Sequence, residues 1–251
     1  MAAVNVILAC GHECPDPAYL QAVDPSWTVV ARGRALTEVI TAVRGWSPDP
    51  LCVVPMTLGR DPALIADTAR ALSWARSEPD SSPPILAAPL GSADHLIGWL
   101  RGRAVATAAD AVLVTAPVAD PFADAELFRI ARLVRQFGAA HLVEVGLLGG
   151  DPDVDTGVER CRRLGADRIT VLPAWLGASP RAEADDVVDG GPLLGAAALR
   201  GVVAARVAEA LHGAGHGHDG IDAGLDAEHG HGFAHSHGPG VAHGHGHGHG
   251  P

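Results

Sequence analysis

Five consecutive residues near the start of the chain, Cys10-Gly11-His12-Glu13-Cys14, carry four side chains able to hold a metal ion. Imidazole and thiolate suit borderline divalent ions such as zinc, cobalt or iron, and a neutral imidazole also takes up a proton near neutral pH. The two cysteines lack the two-residue spacing of common zinc sites, so a Cys-containing metal site and a core role for Cys10 both stay open. Cys52 and Cys161 read as small buried hydrophobes. A second concentration of ligands lies at the other end. Of 14 histidines, 11 fall between His212 and His249, leaving His12, His95 and His141 elsewhere. His216, His218, His229, His231, His235 and His237 are dispersed, whereas His243, His245, His247 and His249 alternate with glycine. Flexible neighbouring imidazoles wrap a nickel, cobalt, copper or zinc ion without preformed geometry. This end therefore reads as a weak binder of several ions, suited to storage or delivery.

The elements that must position His12 follow from hydrophobic patterning. Val4 to Ala9, Trp27 to Ala31, Leu51 to Val54, Ile85 to Ala87, Ala111 to Thr115, His141 to Val145 and Ile169 to Leu172 are short apolar runs. Such runs suit strands buried on both faces. Between them lie helical patterns opened by Asp-Pro. Asp61-Pro62 precedes an apolar stripe of Leu64, Ile65, Ala69 and Leu72. Asp120-Pro121 precedes Leu127, Ile130, Ala131 and Val134, with Gly138 as the stop, and Asp151-Pro152 precedes Val154, Val158, Cys161 and Leu164, ended by Gly165. Asp caps a helix and Pro fits its first turn. Strands alternating with helices predict parallel sheets flanked by helices, an α/β fold.

The pattern occurs twice. Leu51-Cys52-Val53-Val54-Pro55-Met56-Thr57-Leu58-Gly59 matches Ile169-Thr170-Val171-Leu172-Pro173-Ala174-Trp175-Leu176-Gly177, and Pro89-Leu90-Gly91 is echoed by Pro192-Leu193-Leu194-Gly195. This predicts two similar lobes, 1–106 and 107–211, facing each other across a cleft at the carboxyl ends of their strands. The last 39 residues, 213–251, hold 10 His and 13 Gly with few large apolar side chains. A segment so poor in core formers does not offset its ordering entropy, so 212–251 is expected to be a disordered metal-binding tail.

Composition narrows the function. The net charge of -11 comes from 29 acidic residues against 18 basic ones, all of them Arg, which argues against nucleic acid or anionic membrane as partner. No apolar run approaches the roughly 18–20 residues of a membrane span, and Ile7-Leu8-Ala9-Cys10, which superficially resembles a lipoprotein cleavage site, has nothing basic before it and too short an apolar region for a signal peptide. A cytoplasmic protein, monomeric or homodimeric, is expected.

Taken together, Leu8-Ala9-Cys10-Gly11-His12, Val54-Pro55-Met56-Thr57-Leu58-Gly59, Val143-Glu144-Val145-Gly146-Leu147 and Leu172-Pro173-Ala174-Trp175-Leu176 resemble the sirohydrochlorin chelatase family, the class II tetrapyrrole chelatases of CbiX and SirB type. The resemblance spans most of residues 4–211. It implies a lyase that inserts a divalent metal, cobalt, iron or nickel, into a sirohydrochlorin-like tetrapyrrole during cobalamin or siroheme formation, with no organic cofactor. It also implies that His12 is catalytic and holds the incoming metal. The second half has Val118 at the matching place, so one active centre is expected.

Two departures follow. Members of the family usually carry a second His after the Pro-x-x-Leu strand, but here Gly59 runs into Arg60-Asp61-Pro62. Glu13 stands where many members have Gly. The metal candidates are thus His12, Glu13 and His95, the last near a helix start and best placed to replace the absent His. His141 reads as structural. A substrate bearing many carboxylates calls for Arg, and Arg60, Arg32 and Arg34 follow strands at the expected end. The alternative is a non-catalytic nickel or cobalt chaperone or store that kept the fold and lost the second ligand.

Overall fold

The computed structural model describes residues 4–76, 83–136, 142–180 and 184–227. The first half runs β1 (Asn5–Cys10), α1 (Pro17–Val23), β2 (Thr28–Ala31), α2 (Arg34–Trp46), β3 (Leu51–Met56), α3 (Pro62–Arg76), β4 (Ile85–Leu86) and α4 (Ala93–Val105). The second runs β5 (Ala111–Pro117), α5 (Pro121–Gln136), β6 (Leu142–Leu148), α6 (Val154–Arg163), β7 (Ile169–Pro173), β8 (Val187–Asp189) and α7 (Ala196–Gly215), with α8 (Ile221–Leu225) after it. Each half forms one parallel sheet, ordered β2-β1-β3-β4 and β6-β5-β7-β8, so the sequence repeat is also a repeat of topology. Among the described residues, no helix is long and apolar enough to cross a membrane.

Period-2 alternation sorts the strand residues between two faces. In the first sheet Ile7, Ala9 and Val53 pack outward with Leu36 and Ile40 of α2, whereas Leu8, Cys10, Cys52 and Val54 face inward. In the second sheet Leu113, Ile169 and Val171 pack with Cys161 of α6, and Val112, Val114 and Leu172 face inward. The two inward faces join one shared apolar cluster.

The helices filling that shared core are exchanged. α4, from the first half, packs on α5 and β7 of the second, and α7, from the second half, packs on β3 and β4 of the first. The sheets divide on either side of residues 106–107, but the packed bodies do not.

Three expectations need correcting. The folded body does not end near Leu211: the Ala-rich α7 continues to Gly215 and α8 then buries Ile221 completely. Leu86 N–H donates to Asp219 C=O at 2.8 Å, tying this extension to β4. A tail boundary at 212 therefore fails, because Ile221 and Leu225 join the apolar cluster that α3 covers and dock this short helix. The cap of α6 is Asp153, not Asp151, since Asp153 Oδ1 accepts the Thr156 N–H at 2.8 Å. β8 was not foreseen, being three residues long with one of them buried. Gly138, His141 and His229, His231, His235, His237, His243, His245, His247 and His249 lie outside the described residues.

Candidate functional site

β1 and β3 are neighbours in register, Cys10 opposite Met56, so the loops leaving their carboxyl ends lie side by side. The first loop turns tightly, Cys14 N–H donating to Gly11 C=O at 3.1 Å. The second carries Asp61, which caps α3 by accepting the Leu64 N–H at 3.0 Å. The capping carboxylate also reaches across to the first loop. Asp61 Oδ2 lies 3.0 Å from His12 Nδ1 and accepts the His12 backbone N–H at 3.1 Å. Gly11 makes this approach possible: a Cβ there would stand 2.0 Å from Asp61 Oδ2.

The pair has a definite chemical polarity. An imidazole whose Nδ1–H donates to a carboxylate presents its Nε2 lone pair, the arrangement that orients metal-binding histidines and raises their basicity. His12 Nε2 is buried and has no hydrogen-bond partner. Burial pushes the Asp61 carboxyl up, but hydrogen bonds from the His12 ring, Leu64 N–H and His12 N–H outweigh it and leave the group below the usual range. Arg32 Nη1 stands 3.4 Å from Asp61 Oδ1 and 3.8 Å from Asp67, with 42% of its side chain exposed. Asp61 is the residue that sequence reasoning missed. It was visible as a helix cap, but that reading gave it a single local partner.

The other candidates separate. Glu13 is not beside His12 as a free ligand. It is buried, with Oε2 accepting from Thr57 Oγ1, Leu58 N–H at 2.9 Å and Arg60 N–H at 3.2 Å, and its Oε1 has no partner. Burial raises its pKa despite the Thr57 hydroxyl and nearby Arg60. Its side chain thus ties the two loops together, and its carbonyl accepts Leu176 N–H at 2.7 Å from the loop after β7. Arg60 is not a substrate clamp. It is 1% exposed, with Nε on Ala123 C=O at 2.9 Å and Nη2 on Asp124 at 3.2 Å, so it rivets the first lobe to α5 of the second. Glu13 therefore links the loop after β3, through its side chain, to the loop after β7, through its carbonyl.

His95 does not replace the absent ligand. It closes a capping box with Ser92, its Nδ1 lying 2.7 Å from Ser92 Oγ, and its Nε2 faces Arg206 Nη2 at 3.5 Å. A guanidinium at that nitrogen repels a metal ion. Arg34 is 92% exposed and pairs with Glu38 one turn along α2. Cys10 and Cys14 bring their sulfurs to 3.1 Å, both buried, and the Cys14 thiol is pushed up by its Cys10 hydrogen bond and by burial. Among the described residues, no set of three or more His, Cys, Asp or Glu side chains is arranged to hold an ion. What the described residues bring together here is one imidazole, held through its Nδ1 by Asp61 and with its Nε2 unpartnered.

No protein-family profile matches the chain. A sirohydrochlorin cobaltochelatase of Priestia megaterium is 40% identical over 58 residues, a segment that spans 23% of this chain and 19% of that protein. SirB from Bacillus subtilis with Fe3+ superposes with a TM-score of 0.56 at 14% identity, covering 87% of this chain and 99% of that one. The sirohydrochlorin chelatase SirB from Bacillus subtilis subspecies spizizenii in complex with cobalt gives 0.52 at 14% identity, covering 85% and 97%. A multi-domain protein of Deinococcus radiodurans with structural similarity to chelatases gives 0.53 at 18% identity, covering 84% of this chain and 56% of that one. The fold is the chelatase-like α/β fold. The resemblance to the sirohydrochlorin chelatase family is thus carried by a matched sequence segment and by the whole architecture.

Proposed function

We propose that the chain inserts a divalent metal, cobalt or ferrous iron, into sirohydrochlorin. The observation that carries this reading is the buried, unpartnered Nε2 of His12, aimed by Asp61 at the strand ends of a chelatase-like fold. The ion reaches His12 Nε2 and exchanges water for that nitrogen. The macrocycle lies at the seam between the lobes, with peripheral carboxylates on Arg32 and on backbone N–H groups. As the metal passes to the pyrrole nitrogens, two N–H protons leave, so a divalent ion and a neutral macrocycle give a neutral complex and two protons. His12, freed of metal, accepts one of them, with Asp61 stabilising the resulting imidazolium, and the other passes to solvent water. In this reading a second His is not required, because substrate nitrogens and water complete the coordination.

The alternative of a metal store on this fold draws its support from the 10 histidines of residues 213–251. Metal insertion followed by absorbance, with cobalt and then ferrous iron, separates the two. A chelatase turns over and loses that turnover in His12→Ala; a store binds ions without producing metallated macrocycle.

A further inference from the structure

The extension that moved the end of the folded body brings two histidines together. His212, in the last turn of α7, and His216, its C-cap, have ring centroids 4.7 Å apart and planes at 71°, and both are exposed. Their observed ring contact keeps the two imidazoles close enough to share one ion, at the same four-residue spacing as the two histidines of the H-E-x-x-H helices that bind zinc. The backbone under them is fixed from both sides. Leu211 and Ala214 pack against the shared core, and after Gly217 the chain folds back so that His218 N–H donates to Gly213 C=O at 3.0 Å. α8 then anchors the return by burying Ile221. Little ordering entropy therefore opposes capture of an ion, and a cation is favoured near a helix C-terminus. The nearby carboxylates of Asp219 and Asp222 are each held by Arg76 at 3.1 Å, which leaves nitrogen as the donor type.

We propose that His212 and His216 form an ordered two-imidazole site for a borderline divalent ion such as nickel, cobalt or zinc. Water fills its remaining coordination positions. This site is separate from His12 and from the glycine-spaced histidines that follow, and it does not rest on the chelatase reading.

The test uses the full chain with His141, His218, His229, His231, His235, His237, His243, His245, His247 and His249 changed to Asn and His12→Ala added, so that competing imidazoles are silenced. Titration calorimetry with nickel alone should give one ion per chain. Adding His216→Ala should weaken that binding by about tenfold or more, because half the protein ligands are lost, whereas adding His95→Ala should leave it unchanged. Retained tight binding in His216→Ala, or no binding before it is introduced, overturns the proposal. Should His12→Ala fail to fold, the same series with His12 intact must lose one nickel per chain on His216→Ala, with metal insertion unaffected. An unchanged count overturns it.

Discussion

Asp61 Oδ2 is shared between the His12 ring, at 3.0 Å, and the His12 backbone N–H, at 3.1 Å. One carboxylate oxygen therefore holds both the backbone of the loop at His12 and the ring, leaving Nε2 as the nitrogen without a partner. Asp61→Asn keeps a capping oxygen for α3 but loses the anion that fixes the ring. Turnover should fall about 10–100-fold, the range for losing an orienting carboxylate behind a metal-binding His. Steady-state rates with a circular dichroism check of folding decide it; a variant with the parent's rate refutes the positioning role.

His12→Ala should abolish most turnover, by about 10²–10⁴-fold. It should also destabilise the chain by about 1–3 kcal/mol, since a buried carboxylate is left short of donors. Denaturant unfolding alongside the insertion assay measures both. Loss of activity with no stability change would mean that the Asp61 contact is energetically empty.

The same contact predicts an acid limb. A carboxyl held below its ordinary value stabilises the fold above the unfolded Asp pKa of about 3.9, and that stability is lost as pH falls through the lower folded value. Glu13 has the opposite sign: its raised pKa favours the fold below the ordinary range, and this is lost as pH rises through the folded value. Urea midpoints measured against pH should therefore drop less steeply on acidification in Asp61→Asn than in the parent. Glu13→Gln should gain on the parent as the solution is made alkaline. Parallel curves for parent and variants would contradict both assignments.

Arg60 and Arg32 should separate stability from substrate binding. Arg60→Ala leaves Asp124 without its buried guanidinium and should lower stability by about 3–5 kcal/mol. Arg32→Ala, at a half-open position, should raise KM with a melting temperature close to the parent's. The reverse assignment would follow if Arg60→Ala changed KM alone.

Truncation should locate the end of the folded body. Ending the chain after residue 227 should leave the melting temperature within a few degrees. Ending it after residue 212 removes the buried Ile221 and the Arg76 pairs, and should cost about 2–5 kcal/mol. Equal melting temperatures would return the boundary to 212.

Much of the architecture was legible because both sheets are parallel and covered, so their strands are unbroken apolar runs such as Leu51 to Val54. β8 and α8 were not, since Val187–Asp189 and Ile221–Leu225 owe their form to β7, α3 and β4 rather than to their own pattern. Amphipathic patterning says that a helix face is buried but not against which sheet, so the exchange of α4 and α7 was invisible. At the site, Gly-His after a strand marked His12. Asp61 was read only as a cap and Arg60 as a clamp, because each takes its decisive partner from a residue distant in sequence: His12 for Asp61, and Asp124 in the other lobe for Arg60.

The exchange of helices also sets a timetable during synthesis. The inward face of the first sheet, with Cys52, Val54 and Ile85, is complete once β4 has emerged, yet α7, which covers β3 and β4, begins only at Ala196. At the usual ribosomal pace of about 5–20 residues per second, that apolar face waits on the order of ten seconds for its cover. A chain cut short before α7 would leave that face without its cover, and exposed apolar surface of this kind is what makes incomplete chains prone to aggregate.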